Sequence, residues 1–354
     1  MAKSGRETIV GVTKGAAWGT AIALAAKKQI MPFSIDPVVL DGELVFDDTI
    51  GNWQELQEAD LVKHLANPTI TIPVRRTGAC WLFWAHIIGD DTETGSSPAI
   101  THTMSWQRAA SLFFTMALEI NETASPGDII EWPSLKVVGV TLEPDGDGHM
   151  QFVVSTIGDT IDIAGDATNS DTEFDLLTAV SEVLLMSFRE VSFKIATVGS
   201  DPASESITKI ANMSLVVNRP YPGEDVARGT FAAAPMTDEP IQDGAAEITF
   251  GFDVNDFTTI ALLNDLETGQ EYAADLNFDA TVATVVYKFD TELTNLRPIP
   301  AAMALERGQR IPLTRNFRAV MVDQVGGTPN TGMTTVEPIH TIVQDDNDLS
   351  YEDG

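Results

Sequence analysis

The sequence contains one strand-then-helix pattern twice, and this repeat restricts the possible folds more than any other feature. In residues 69–91, alternating apolar residues precede apolar residues at helical spacing, and residues 246–269 show the same order. Alternation is typical of a strand with one buried face, whereas spacings of three and four residues are typical of a helix. The separation between Ile70 and Ile248 is close to half the length of the chain. This offset predicts a duplicated domain.

Start and stop signals bound both predicted helices. Thr77 and Asn255 are residue types that cap helix N-termini, and Gly89 and Gly269 are of the type that commonly ends a helix. Between these signals, apolar side chains recur on one face, so each helix is expected to pack against its own sheet. The predicted helices are 78–89 and 256–268.

Further strand patterns surround the helices. Residues 112–120 alternate after the first helix, and residues 283–289 alternate in the matching place after the second. Residues 135–144 and 149–157 flank Asp-Gly-Asp-Gly, a strong hairpin-turn sequence. A further strand is predicted at 207–218, with these residues on one side: Ile207, Ala211, Met213, Leu215 and Val217. The sequence therefore predicts a mainly β protein made of two tandem sandwich or barrel domains, each with one packed α-helix.

The predicted duplication divides the chain into two domains. The first, 1–195, has an N-terminal arm and the polar loop 38–60; the second, 196–354, has the loop 219–244 and an acidic C-terminal tail. Loops of this length in compact proteins are functional, disordered or ordered by a partner. Because they contain few apolar residues to offset the ordering entropy, we expect the loops and both ends to be ordered only in an assembly.

The charge of the chain is strongly negative. Its 52 acidic and 21 basic residues give a formal net charge of −31. A surface this negative repels phosphate backbones and anionic lipids, so stable nucleic-acid binding and membrane binding are disfavoured. A weakly repulsive surface along which DNA slides is compatible with the same charge. A high-salt habitat would also favour an acidic surface, and the sequence alone leaves both causes open.

The chain has one cysteine, Cys80, which excludes an intrachain disulfide and a cysteine-based zinc cluster. Its neighbours are tryptophans and aliphatic residues, and His86 points elsewhere on the helix, so we predict a buried, unreactive thiol. The apolar block from Cys80 to Ile88 is far shorter than the roughly 20 residues of a membrane-spanning helix. Residues 16–26 resemble a signal sequence but precede two lysines, so no secretory signal is expected.

The sequence shows no constellation that favours catalysis. The five histidines are scattered, and none stands at the short spacing of a helical metal pair. The Asp-rich stretches 145–149 and 159–171 lack the calcium-loop pattern, and turn hydrogen bonds account for their aspartates. The glycines of 11–19 lack a phosphate-loop ending, and no Gly-x-Ser-x-Gly elbow occurs. We therefore predict that the protein is not an enzyme and binds no cofactor and no metal.

Arginines are concentrated at two places in this acidic chain. Residues 305–318 contain four, and residues 75–76 contain two. They are interpreted either as contacts to acidic groups of a neighbouring subunit or as solvated side chains with local ion pairs, which contribute little to stability. The sequence leaves both interpretations open. The candidate inter-subunit contacts are Arg75, Arg76, Arg307, Arg310, Arg315 and Arg318.

Five stretches together resemble the tail tube proteins of long-tailed bacteriophages and related archaeal viruses. GVTKGAAWGTAI (11–22) is similar to the opening of the larger, duplicated members, and TITIPVRRTGACWLFWAHIIGD (69–90) resembles the family's strand and packed helix. LKVVGVTLEPDGDGHMQFVVSTIGD (135–159) resembles a hairpin of the family. VNRPYPGED (217–225) and the strand, helix and strand at 246–289 fit a second copy. The resemblance covers most of the chain as a pattern of elements.

The resemblance implies a virion protein with two tail-tube-like domains. Tube domains join their sheets edge to edge around a ring of six, so a chain with two copies implies a homotrimeric, pseudo-sixfold ring. Stacked rings would form the channel for viral DNA, whose passage is transient and non-specific. The implied partners are other copies of the chain and the tape measure, tail terminator, baseplate and distal tail proteins. Assembly in the host cytoplasm and a final location in the virion tail follow from the same resemblance.

A second interpretation belongs to a different class of protein. A secreted or surface β-sandwich with two domains could act as a carbohydrate-binding adhesin. This interpretation predicts a monomer with a cleft that carries exposed aromatic residues. A hydrolase, the third interpretation, needs a polar constellation that the sequence lacks.

Overall fold

The structure of the chain is a computed structural model, and it describes most of the sequence. The described residues are 8–36, 41–46, 59–97, 99–108, 112–120, 128–163, 167–179, 185–221, 239–254, 269–282, 285–299, 313–322, 328–345 and 350–351.

The described chain is mainly β, as the sequence predicts. The strands that precede residue 170 are β1 (Thr8–Lys14), β2 (Lys28–Ile30), β3 (Ser34–Asp36), β4 (Asp41–Phe46), β5 (Ala59–Leu65), β6 (Thr69–Pro73), β7 (Thr92–Ser96), β8 (Ala99–Ser105), β9 (Phe114–Ile120), β10 (Asp128–Pro144), β11 (Met150–Gly158) and β12 (Asp162–Ile163). The later strands are β13 (Val191–Thr197), β14 (Ile210–Asn218), β15 (Glu247–Val254), β16 (Tyr272–Val282), β17 (Val285–Ile299), β18 (Leu313–Ala319) and β19 (His340–Asp345). The α-helices among the described residues are α1 (Trp81–Ile88) and α2 (Asp171–Asp175).

The strands, apart from the separate pair β4–β5, join into one continuous antiparallel sheet. Buried side chains from both halves of the chain belong to one hydrophobic cluster, which includes Val12, Trp84, Phe152, Phe250 and Phe289. The predicted boundary after residue 195 falls inside β13. The two halves therefore share a core.

The hairpin of β10 and β11 confirms the turn prediction. Asp145 Oδ1 accepts hydrogen bonds of 2.8 Å from the backbone N–H groups of Asp147 and His149, which closes the turn. Gly148 has φ +86°, a left-handed conformation that glycine adopts without steric penalty. The Asp-Gly-Asp-Gly sequence therefore acts through its local hydrogen bonds and its glycine conformation.

Helix α1 forms near its predicted position, but it begins later than expected. Gly78 has φ +108°, so the regular helix begins only at Trp81, and Cys80 occupies the N-cap position without a side-chain cap. The prediction that Thr77 caps the helix is therefore wrong. Gly89 ends the helix in the left-handed conformation, as predicted.

All eight residues of α1 are buried, and not only the predicted face. Trp84 stacks on Phe152 with ring centroids 5.6 Å apart, and Trp81 stacks on Phe289 at 5.1 Å. Phe152 lies on β11 and Phe289 on β17, so the helix connects the two halves of the sheet through its tryptophans. Residues 69–91 are thus a central part of the core.

The second predicted helix, 256–268, lies outside the described residues. The strand before it is confirmed as β15. The alternation predicted at 283–289 belongs to β17, and its hairpin partner β16 was not predicted. In β14, a register shift between Ile210 and Asn212 turns Ala211 outward, so the predicted buried side begins only at Met213.

Two segments predicted to be long loops or a mobile end contain regular structure. Residues 41–46 and 59–65, largely within the predicted loop 38–60, form the hairpin β4–β5. The tail contains β19, and Tyr351 is fully buried. The prediction of a mobile C-terminal tail is therefore wrong for these residues, because the aromatic side chain of Tyr351 supplies apolar surface that orders them.

The order of neighbouring strands is the same in the two parts of the sheet. In the first part, the order is β3, β6, β11, β10, β9, β1, with β12 on β10 opposite to β9. In the second part, the order is β14, β15, β18, β17, β16, β13, with β19 on β17 opposite to β16. Position by position, the strands also follow the same order along the chain.

Candidate assembly surface

The two parts of the sheet meet where β14 pairs with β10. The paired residues run from Leu215 opposite Leu142 to Asn218 opposite Gly139. β9 occupies the same edge of β10 only as far as Leu135, so β14 continues the sheet where β9 ends. Leu215 and Leu142 are fully buried. This seam, residues 215–218 on 139–142, is a strand-edge contact with an apolar interior.

Arg219 follows the seam directly and holds the end of α1. Its Nε donates a 2.7 Å hydrogen bond to the carbonyl of Ile87, and its Nη2 donates to the carbonyls of Ile88 (2.9 Å) and Gln107 (2.6 Å). The last carbonyls of a helix have no partner within the helix, and a cation there is favourable. Arg219 therefore ties the C-terminus of α1 to the end of β14.

The remaining donors of Arg219 are also used. Nη1 donates to the carbonyl of Arg108 (3.3 Å) and to Gln242 Oε1 (2.9 Å), and the guanidinium lies 4.0 Å from the ring centroid of Trp106. Burial lowers the pKa of Arg219 to about 10, so the side chain stays charged at neutral pH. A guanidinium has five N–H donors, and each has an acceptor here.

Lys136 is a second buried cation beside the seam. Its Nζ forms an ion pair with Glu239 and donates to the carbonyl of Pro240 at 3.0 Å. It also lies 5.1 Å from the ring centroid of Tyr221. Burial lowers the pKa of Lys136, whereas burial raises the pKa of Tyr221 to about 12. These groups fix the chain on both sides of the undescribed residues 222–238.

A cleft of about 430 Å³ opens next to the seam. Its polar lining includes Thr156, Asn218 and Glu247, and Tyr221 is the aromatic side chain among the described lining residues. No serine, cysteine or histidine belongs to that lining. The cleft therefore offers hydrogen-bonding groups for a polar ligand but lacks a nucleophile paired with a histidine base.

The C-terminal tail is fastened by a buried polar cluster. His102 Nδ1 lies 3.2 Å from Asp91 Oδ2, and His102 Nε2 lies 3.7 Å from Asp345 Oδ1, with all three side chains inaccessible to solvent. The backbone N–H of Tyr351 donates to Asp91 Oδ2 at 2.7 Å, and its hydroxyl donates to Asp345. Since Asp91 and His102 belong to the first half, this cluster joins the tail to that half.

An acidic row crosses β16 and β17. Burial, followed by the hydrogen bond to Asp290 and the nearby Glu292, raises the pKa of Asp275 to about 8. Lys288 Nζ lies 2.6 Å from Asp290 Oδ2. Burial acts to lower the pKa of Lys288, but its bond to Asp290 raises the pKa overall. The row thus keeps part of its negative charge neutralised within the chain.

Residues 75–76, predicted as inter-subunit contacts, contact distant residues of the same chain. The Arg76 side chain is buried and forms an ion pair with Glu190. Arg75 Nη2 lies 3.9 Å from Met31 Sδ, and its carbonyl accepts the thiol of Cys80 at 3.7 Å. Their proposed role between subunits stays a prediction.

The arginine-rich stretch 305–318 is described only in part. Arg318 is half exposed and lies 3.6 Å from Glu247 Oε1 within the same chain. Arg315 is buried on β18, opposite Phe252. Arg307 and Arg310 lie outside the described residues, so their contacts stay a prediction.

Cys80 is buried, as predicted for an unreactive thiol. Burial raises its pKa to about 12, which keeps the thiol protonated at neutral pH. A protonated thiol is a poor nucleophile. Among the described residues, no group of three or more His, Cys, Asp and Glu side chains is placed to hold a metal ion.

Exposed apolar residues directly precede the edge strand β3. β3 pairs with β6 on one edge, and within the described chain no strand pairs with its other edge. Met31 and Phe33, three residues and one residue before this strand, are 49% and 59% exposed. Unpaired edges with apolar side chains favour the addition of another strand. This edge is a candidate contact for a partner chain.

No described helix is both long and apolar enough to cross a membrane. Comparison of the sequence with protein-family models and with curated proteins gave no match.

The structure brings together residues that the sequence did not single out. Arg219 stands in VNRPYPGED, where nothing in the local spacing marks a buried arginine. Asp91, His102 and Tyr351 are far apart in the chain, and only the pairing of β19 with β8 brings them together. Ile35 and Phe33 were not noted because strand β3 is only three residues long. For Arg219, the one available signal in the sequence was an isolated basic residue in a strongly acidic chain.

Proposed function

We propose that this chain is the tail tube protein of a long-tailed virus, a structural protein that assembles into stacked rings around a channel for viral DNA. The observation that carries the proposal is the repeated strand order. The order β3, β6, β11, β10, β9, β1 recurs as β14, β15, β18, β17, β16, β13, in the same succession along the chain. Two like units in one chain are what the resemblance implies for a duplicated tube protein.

Residue pairs give the correspondence between the proposed units. Phe152 pairs with Ile72, and Phe317 pairs with Phe250. The offset from Ile72 to Phe250 is the same as the offset from Ile70 to Ile248, so Phe152 and Phe317 correspond. Phe152 and Phe317 are closer together in the sequence than this offset. The inserted hairpin β7–β8, from Thr92 to Ser105, lies between β6 and β11 and accounts for the difference. In this correspondence β9 matches β16 rather than residues 283–289, and the second unit begins before β13.

The duplication supports a ring of three chains. The seam between β14 and β10 joins different surfaces of the two units, which is a head-to-tail contact. Head-to-tail contacts close into rings when the rotation between successive units divides a full turn. Six units in a ring then need three copies of this chain. The ring has pseudo-sixfold symmetry because the two units differ in loops such as β7–β8.

The acidity of the chain suits passage of DNA without binding. A formal charge of −31 per chain gives a surface that does not trap phosphate groups. In this proposal the protein acts in the virion tail, after assembly in the host cytoplasm. It stacks on itself and contacts the tape measure, tail terminator, baseplate and distal tail proteins.

Electron microscopy of the purified full chain tests the proposal. We expect rings or hollow filaments in negative stain, and a mass of three chains per ring by native mass spectrometry. A protein that stays monomeric over a wide range of protein and salt concentrations would contradict the proposal.

The cleft beside the seam supports the alternative of a carbohydrate-binding protein. Its polar lining with Tyr221 is the type of surface that can bind a sugar. Under this alternative, a glycan array with wild type and with Tyr221→Ala would give a signal that the substitution removes. A blank array for the wild type would eliminate this second candidate.

A further inference from the structure

β3 and β14 occupy the same position in the two units. The outer edge of β14 has a partner strand, whereas among the described residues the outer edge of β3 is open. Ile35 pairs with Ile70, and Val217 pairs with Ile248, the residue that matches Ile70 in the repeat. β3 and β14 therefore correspond. On its other edge β14 pairs with β10, whereas β3 has no second partner strand in the described part of the chain.

The exposed apolar residues occur where this correspondence leaves an edge open. Phe33 is the counterpart of Leu215, because Phe33 stands two residues before Ile35 and Leu215 stands two residues before Val217. Leu215 is fully buried in the seam, but Phe33 is 59% exposed. The same surface is thus apolar in both units and covered by a strand in only one of them.

The second surface of the seam also has an open counterpart. β10 continues past its last pair with β9, Leu135 opposite Phe114, and residues 139–142 receive β14. β17 corresponds to β10 and continues past its last pair with β16, Leu296 opposite Tyr272. Its final residues, Arg297–Ile299, pair with β18 on one edge, and no strand of the described residues pairs with their other edge.

We propose that Pro32–Ser34, the residues that lead into β3 of one chain, pair with Arg297–Ile299 of β17 in a second copy of this chain, repeating between chains the seam that β14 and β10 form within one chain. This pairing rests on the proposed ring-forming function and names the two surfaces that form it. One internal seam and one such contact per chain produce alternating joints around a ring. Three chains then close six joints.

The residues at the proposed contact are complementary. Val140 pairs with Val154, and Leu296 pairs with Ala319, the counterpart of Val154, so Val140 and Leu296 correspond. In this register Phe33 faces Pro298, as Leu215 faces Leu142 in the internal seam. Pro298 has no N–H to donate, so the apolar contact of Phe33 carries more of this joint than in the internal seam.

The same register places opposite charges near one another. Ser34 faces Arg297, and exposed Asp36 lies diagonal to Arg297, whose side chain is 62% exposed and also forms a 2.6 Å ion pair with Glu271 of its own chain. Opposite charges on neighbouring strands are favourable. The head-to-tail pairing therefore has both an apolar centre and a complementary charge pair.

The first test removes the apolar edge. The variant Met31→Asp/Phe33→Asp is compared with Ile207→Asp/Ile241→Asp, which adds the same charge at side chains that are 58% and 81% exposed elsewhere. Sedimentation velocity is expected to show trimers for wild type and the control pair and at least a tenfold loss of trimer for the edge variant, with thermal unfolding of all monomers unchanged. Wild-type-like assembly of the edge variant would overturn the pairing while leaving the ring function standing. A wild type that stays monomeric would overturn both.

The second test maps the partner strand. Oxidation of Ser34→Cys/Arg297→Cys should produce disulfide-linked dimers and trimers on a denaturing gel, whereas each single variant should not produce trimers. The native Cys80 is buried and does not interfere. An oxidised double variant that assembles into rings but runs as a single chain would overturn the proposed register.

Discussion

Replacing Arg219 with alanine is expected to destabilise the fold more than any surface substitution. The change removes five hydrogen bonds and takes the guanidinium donor from the carbonyl of Ile87 at the buried end of α1, whereas the carbonyl of Ile88 keeps the backbone N–H of Gln107. Each hydrogen bond to a charged group contributes about 1.5–3 kcal/mol, but burying the cation itself is unfavourable. Each buried acceptor left without a donor costs about 1–3 kcal/mol, so for the several acceptors of Arg219 we expect a total loss of about 3–5 kcal/mol.

The loss is measurable by urea unfolding and by calorimetry. With an unfolding entropy of about 2.1 cal/mol/K per residue, a loss of 3–5 kcal/mol in this chain lowers the melting temperature by roughly 4–7 °C. Arg219→Lys should lie between wild type and Arg219→Ala, because lysine keeps the charge but has three donors instead of five. Arg189→Ala, at an exposed arginine outside the proposed contact, serves as the control and should change the unfolding free energy by less than about 0.5 kcal/mol. An Arg219→Ala variant as stable as this control would refute the argument.

Three further predictions concern other buried groups. Tyr351→Phe leaves buried Asp345 without the hydroxyl that bonds to it, so urea unfolding should show a loss of about 1–3 kcal/mol, and an unchanged midpoint would contradict this. The raised pKa of Asp275, about 8 against 3.8, means that the folded state holds its proton longer than the unfolded state; unfolding free energy should therefore fall between pH 4 and pH 8. Asp275→Asn should flatten that slope, and an equal slope in both proteins would disprove the link. Cys80 should react with a thiol reagent only after unfolding, and rapid labelling of the native chain would contradict its burial.

The sequence predicted the local elements well where short-range physics determines them. The hairpin at 145–148 follows from aspartate hydrogen bonds and a glycine conformation that act within four residues. The end of α1 at Gly89 follows from the same type of local signal. The start of α1 was misplaced because Thr77 has the chemistry of a cap, but the left-handed Gly78 separates it from the helix.

The sequence did not predict how distant strands pair. The alternation of residues in β14 and β10 fixes which face of each strand is buried, but it does not determine which strand lies at the edge of which. The tail shows the same limit, since its acidic composition indicated a mobile end whereas Tyr351 packs on His102 with ring centroids 4.2 Å apart. Arg219 was missed for the same reason, because its acceptors, apart from Gln242, lie far away in the sequence.

Duplication changes the energetics of the proposed ring. Each intermolecular contact loses translational and rotational freedom, estimated at about 4–15 kcal/mol, before any stabilisation appears. A seam within one chain avoids that loss because the units are already linked. The internal seam of β14 and β10 therefore forms during folding, and only the joints at β3 depend on concentration. In chains that each have a net charge of −31 and repel one another, halving the number of intermolecular joints reduces the association that the exposed edge at Phe33 has to drive.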